Sequence, residues 1–254
     1  MKKIKQQNKQ YEIEFFDTAA ESGHYEISSD RLYTSLINLI NENELKLSGK
    51  MLEAGCACGV FGKYFLKHYP KLSVIGVDIS KKMVARANDK TKKYKAIVGD
   101  LEDKKIFKKH SFDVILCPFV LHHFPSLEKV FKNFTYWLKP KGIIIISEPN
   151  GQQIIGRISK FLRKIVEKTL GEEIIIKHRM ATPNETNHTL GEYQRYLKMN
   201  DFDVIASQHG FFKPSNITRI NIGIFKLFLA ILLAKLMPNS LYSSAVITVI
   251  GQKK

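Results

Sequence analysis

Three acids and one turn of small residues carry most of the chemistry legible in this chain. Glu53 leads straight into Ala54-Gly55-Cys56-Ala57-Cys58-Gly59, and Asp78 and Asp100 follow at the ends of two later apolar runs. Small residues between a strand and a helix start let backbone N–H groups approach a ligand closely. Acids at the ends of the next strands suit the hydroxyl and amino groups of a nucleoside. Beyond these lie His122 and His123, which titrate near neutrality, and Glu148, a carboxylate that caps a turn or faces a substrate. The three thiols, Cys56, Cys58 and Cys117, offer only one local ligand spacing, Cys56-x-Cys58. No histidine completes a standard metal pattern, so packing is the ordinary reading and no metal is expected.

The elements around these residues alternate. Strands are expected at about Met51 to Ala54, Leu72 to Asp78, Tyr94 to Asp100 and Phe112 to Cys117, and in the run Gly142-Ile-Ile-Ile-Ile-Ser-Glu148. Helices between them run from Val60 to His68, from the Ser80 cap through Ala87, and from Ser126 through Leu138. The run of four isoleucines suits a strand buried on both faces. Strand-helix alternation of this kind gives a parallel sheet with helices on both faces. An earlier helix capped at Ser28, Ser29 or Asp30 carries Leu32, Leu36, Ile37, Leu39 and Ile40 on one face and should end near Leu45. The stretch from Tyr11 to Ser29 has no clear period. After residue 150 the alternation breaks. A basic amphipathic helix runs from Ile154 to Leu170, and Thr189 with Glu192 has capping-box spacing. FDVIASQ and SAVITVIG read as closing strands.

At 254 residues, 44% hydrophobic, with net charge +16 and three cysteines, the chain reads as one globular domain. The expected division is an N-terminal helical segment over 1–48, a ligand-binding core over 49–149, and insertions over 150–190 and 210–240. No apolar stretch follows the basic start, so no secretory signal is expected, and a reducing cytoplasm suits the cysteine content. The charge fits a solvated lysine-rich surface, nucleic acid or an anionic membrane. Residues 204 to 254 hold six Lys or Arg and no acid beside an apolar run, which tilts the reading from nucleic acid towards membrane or lipid. That run, Ile222 to Met237, is broken by Lys226 and Lys235. It falls short of the ~20 apolar residues that span a bilayer and reads as packed insertion. The helix over 154–170 is the better membrane-surface candidate.

Two ligand classes use such a loop, dinucleotides and S-adenosylmethionine. The dinucleotide pattern G-x-G-x-x-G, counted from Gly55, meets Ala57 and Val60 and fails twice. Glu53 would repel a diphosphate and welcome an α-ammonium. The chain resembles the class I S-adenosylmethionine-dependent methyltransferases, in the subgroup that contains ubiquinone, menaquinone and many small-molecule enzymes. Glu53 to Gly59 is similar to that family's acidic glycine loop, V-I-G-V-D-I-S to its second motif, I-V-G-D-L to its third and F-D-V-I-L-C-P-F-V-L-H-H-F to its strand-four motif.

The resemblance implies a Rossmann-like seven-stranded sheet with helices on both faces and helical insertions after strand five and between the last two strands. It implies S-adenosylmethionine held by Glu53, Ala54, Gly55, Cys56, Gly59, Asp78, Ile79, Met83, Asp100, Leu101, Cys117 and His122. Asp78 would take the ribose hydroxyls and Asp100 would face the adenine amino group. His123 becomes the candidate base and Glu148 the candidate substrate contact. Strand order in this class would gather all three thiols around one pocket mouth. Methyl transfer to a small, apolar or lipid-like acceptor is the expected activity. An RNA methyltransferase is favoured by the charge but lacks the Asn/Asp-Pro-Pro-aromatic motif at strand four. A non-catalytic partner that binds the cofactor only structurally, and a nicotinamide oxidoreductase, are the remaining readings.

Overall fold

The computed structural model describes residues 8–21, 30–88, 92–152, 185–210 and 246–254. The basic helix expected over 154–170, the apolar run over 222–237 and the caps expected at Ser28 or Ser29 lie outside them. Two N-terminal helices, α1 (Lys9–Glu21) and α2 (Asp30–Glu42), precede the alternating core: β1 (Gly49–Ala54), α3 (Val60–His68), β2 (Leu72–Asp78), α4 (Lys81–Ala87), β3 (Tyr94–Val98), β4 (Phe112–Pro118), α5 (Glu128–Trp137) and β5 (Leu138–Pro149). Then come α6 (Leu190–Met199), β6 (Phe202–Gly210) and β7 (Val246–Lys253).

The seven strands lie in the order β3-β2-β1-β4-β5-β7-β6. The first five are mutually parallel, and β7 runs antiparallel between β5 and β6. Strand order reverses between β1 and β4, where a crevice opens at the carboxyl edge of such a sheet.

Successive residues along each central strand point to opposite faces, and the core divides accordingly. Leu52, Ala54, Ile115, Cys117, Ile144 and Ile146 meet α5 and α6 on one face. Met51, Val114, Leu116, Ile143 and Ile145 meet α2, α3 and α4 on the other. The isoleucine run is apolar throughout because both faces are covered. At the opposite edge Asp113 staples three strands. Its Oδ2 accepts from the Lys50 N–H at 2.8 Å and its Oδ1 pairs with Lys139 Nζ at 2.8 Å.

The capping box forms: Thr189 Oγ1 accepts from the Glu192 N–H at 3.1 Å and Glu192 Oε2 accepts from the Thr189 N–H at 2.7 Å. Ser126 does not cap α5, whose N-cap is Leu127 without a side-chain bond. Helix α5 is held instead by its apolar face, with Val130, Phe131, Phe134 and Trp137 buried. Among the described residues no helix is long and apolar enough to cross a membrane.

Candidate functional site

The small-residue loop closes over a buried support that its glycines make possible. Glu53 is 0% exposed; its Oε1 accepts from the Gly62 N–H at 2.9 Å and its Oε2 from the Tyr94 hydroxyl at 2.6 Å. Burial pushes its pKa up to about 7, against the pull of those two donors and of Lys63. A Cβ at Gly62 would lie 2.5 Å from Glu53 Oε2, and one at Gly59 would lie 2.6 Å from the Tyr94 hydroxyl oxygen. These glycines therefore admit the Tyr94 ring and the Glu53 carboxyl beneath the loop. Both Glu53 oxygens face inward to that support. Nothing in the run YKAIVGD marked Tyr94 for this role.

Ala57 sits at φ +43°, a region that costs an L-residue about 1 kcal/mol or more. Its N–H donates to Asp78 Oδ2 at 2.8 Å, while Asp78 Oδ1 accepts from the Ser80 N–H at 2.9 Å. The bond from Ala57 offsets the strain and closes the loop onto the end of β2. Burial raises the Asp78 pKa despite these amides. With the Ile79 N–H as a third donor, the carboxylate keeps capacity for one more.

Helix α1 crosses the carboxyl edge like a strap. Phe16, Ala19 and Ala20 rest on Met83 and Cys58. Asp17 Oδ1 accepts from the Ser80 hydroxyl at 2.5 Å and from the Lys82 N–H at 3.2 Å, at the N-terminus of α4, where an acid complements the helix dipole. Lys82 pairs with Glu21 at 2.5 Å and Arg86 donates to the Ala20 carbonyl. At the other end Lys9 pairs with Asp100 and with Glu102, the latter at 2.7 Å.

Past β4 the chain turns through Phe119, at φ +53°, into a short 3₁₀ turn, Leu121–His123. Glu148, fully buried at the end of β5, organises this turn. Its Oε1 accepts from the Val120 and Leu121 N–H groups at 2.8 and 2.7 Å, and its Oε2 faces His122 Nδ1 at 2.8 Å. Glu148 therefore caps the β4 turn rather than the turn that follows it. Burial lowers the His122 pKa, but Glu148 outweighs it and the net direction is up. His123, with its ring centroid 4.0 Å from that of His122, is driven well below its ordinary value by burial and by His122.

The three thiols do not gather at one mouth. Cys117 packs on the α5 face of the sheet, Cys56 on the opposite face, and Cys58 lies beneath α1 with its Sγ 3.6 Å from Met83 Sδ. The sheet separates them because Cys117 and Cys56 point to opposite faces. Burial holds both the Cys56 and Cys117 thiols well above their ordinary range. Ala54 and Leu101 are also core residues. The expected cofactor residues at the open edge are the loop around Gly55 and Gly59, then Asp78, Ile79 and Asp100. Tyr94, Glu12, Asp17 and Lys9 complete the surroundings, and sequence reading singled out none of them for a site.

Comparison with known proteins agrees with this geometry. Residues 52–146 match the family described as "Methyltransferase domain". Phosphoethanolamine N-methyltransferase 1 of Triticum aestivum is 28% identical over 142 residues, 54% of this chain and 26% of that protein. Demethylmenaquinone methyltransferase of Thermotoga maritima is 30% identical over 118 residues, 45% of this chain and 51% of that protein. The chain thus spans about a quarter to a half of the length of these curated relatives. The crystal structure of a SAM dependent methyltransferase from Archaeoglobus fulgidus superposes with a TM-score of 0.62 at 16% identity, covering 91% of this chain and 97% of that one. Motif order, sheet topology and family match converge: residues 52–146 carry a methyltransferase domain, set in the seven-stranded sheet of the class I S-adenosylmethionine-dependent fold.

Proposed function

We propose that this protein transfers a methyl group from S-adenosylmethionine to a small, apolar or lipid-like acceptor. The observation that carries the reading is Asp78. Its carboxylate stands at the end of β2, clamped to the loop by the Ala57, Ile79 and Ser80 amides, with lone-pair capacity left for a hydroxyl. The loop, Ile79 and Asp100 would complete the nucleoside site. Asp17, Asp78, Asp100 and Glu102 gather at this edge against the single charge of Lys9, within a chain of net charge +16, and the resulting field favours a sulfonium.

An activated methyl group needs little more than a nucleophile held in line, exclusion of water and a proton acceptor. Glu148 engages the His122 ring at Nδ1, which leaves His123 as the candidate proton acceptor. The names of the relatives, phosphoethanolamine and demethylmenaquinone methyltransferases, support a small acceptor tied to lipid or quinone chemistry. Calorimetry with S-adenosylmethionine and with NAD should show binding of the first alone. Absence of binding by the first would sink the reading.

The basic face expected over 154–170 supports peripheral contact with anionic membrane. Flotation with anionic liposomes should recover the wild-type protein and lose a variant carrying Glu at Arg157, Lys160, Arg163 and Lys164. Equal recovery would end that part of the proposal.

A further inference from the structure

Asp100 does not stand open at the carboxyl edge. Past β3 the chain enters a turn that fixes this carboxylate: the Asp103 N–H donates to the Asp100 carbonyl at 2.8 Å, the Glu102 N–H donates to Asp100 Oδ1 at 2.9 Å, and Asn133 Nδ2 ties the Leu101 carbonyl to α5 at 2.8 Å. Oδ2 is the oxygen these bonds leave for an outside partner, and Lys9 of α1 holds it. The same ammonium reaches Glu102 Oε2 at 2.7 Å, so one cation bridges two acids. This placement does not serve the helix, because a cation on the first residue of α1 opposes the helix dipole. Nor are the two contacts equivalent. The Asp100 side chain is 28% exposed and that of Glu102 17%, and water weakens the more exposed pair.

We infer that Lys9 is a positioning residue for Asp100, which it holds until an adenine amino group takes Oδ2 and the ammonium withdraws to Glu102 alone. The inference rests on the reading of Asp100 as the partner of that amino group. A hydrogen bond gains strength from the charge of its acceptor, and an ammonium on the same oxygen cancels that charge. The base therefore binds against the Asp100–Lys9 pair, and its apparent affinity is lowered by the share of molecules in which the pair is made. Glu102 limits this loss. By keeping Lys9 it lets the exchange occur without α1 leaving the edge, where the Asp17, Glu21 and Arg86 contacts hold the rest of the helix. A base with a keto oxygen in place of the amino group has no donor for Asp100 and cannot make the exchange, so the pair also bears on which base is accepted.

Calorimetry of the full chain with S-adenosylmethionine, adenosine and inosine tests the exchange. Lys9→Met, which keeps an apolar stem and removes the charge, should bind both adenine ligands about threefold more tightly, the worth of one part-exposed ion pair, and inosine no better than wild type does. Adenosine is uncharged, so its gain does not come from relieving repulsion of the sulfonium. Glu102→Gln, which leaves Lys9 to Asp100 alone, should bind both adenine ligands about threefold more weakly. In Lys9→Met with Glu102→Gln that loss should vanish, because the two residues act through one ammonium. A role for Lys9 only in holding α1 would weaken all three ligands alike. The inference is overturned if Lys9→Met binds the adenine ligands no more tightly than wild type, if it gains equally for inosine, or if the Glu102→Gln loss survives in the double variant. The expected adenosine pattern without binding of S-adenosylmethionine overturns only the methyl-transfer reading, and binding of neither overturns both.

Discussion

Asp78→Ala is expected to lower the affinity for S-adenosylmethionine by about 100-fold or more, read by calorimetry. A hydrogen bond from a ribose hydroxyl to a carboxylate contributes about 1.5 to 3 kcal/mol, and about 3 kcal/mol corresponds to roughly 100-fold in affinity. The same change releases the Ala57 and Ser80 amides, so the loop loses its anchor before the ligand arrives. Asp78→Asn separates the two contributions. It keeps one acceptor oxygen for the loop and one side of the ribose contact, and its loss should be about tenfold. Unchanged affinity in Asp78→Ala would show that the ribose is held elsewhere.

The second large effect is a pH dependence of stability from Glu53. Its carboxyl ionises near 4.5 in the unfolded chain and near 7 when folded. A group with a raised folded pKa binds its proton more tightly in the native state, so its contribution is fully present below about pH 4.5 and is lost as the pH rises through about 7. The full span is about 3 kcal/mol. Glu53→Gln keeps an acceptor for the Gly62 N–H and turns a donor towards the Tyr94 oxygen, and the Tyr94 hydroxyl can turn to the Cys56 thiol, which it also reaches. Urea denaturation should therefore find the two proteins close in stability at pH 5, with the variant gaining about 2 kcal/mol or more on wild type by pH 8. Parallel pH profiles would mean that Glu53 is ionised throughout.

The parallel core was legible because its periods are unmixed. Strands buried on both faces are apolar throughout, their helices carry one apolar stripe, and Asp78 and Asp100 stand where the chain leaves the sheet. Helix α1 was not legible for the converse reason. Its inward residues are Glu12, Phe16, Ala19 and Ala20, a face that serves two histidines, a methionine and a cysteine, so no hydrophobic stripe reveals it. The Glu53 carboxyl misled for a related reason. An acid before a glycine turn looks directed at a ligand, and only the packing of Tyr94 from β3, 41 residues away in sequence, shows that it supports the loop from below. The thiols part because Cys117, in β4, faces α5, whereas Cys56 lies in the loop past the end of β1 and packs on the other side of the sheet.

The acids along the carboxyl edge, set in a strongly basic body, bear on what happens after the reaction proposed for this site. A sulfonium enters as a cation and leaves as a neutral thioether. Electrostatic attraction therefore acts on the incoming molecule and vanishes for the outgoing one, whose shape is almost the same. Asp17, Asp78, Asp100 and Glu102 would thus give turnover a direction, biasing exchange towards a fresh donor in a cell where the two forms compete for the same cleft.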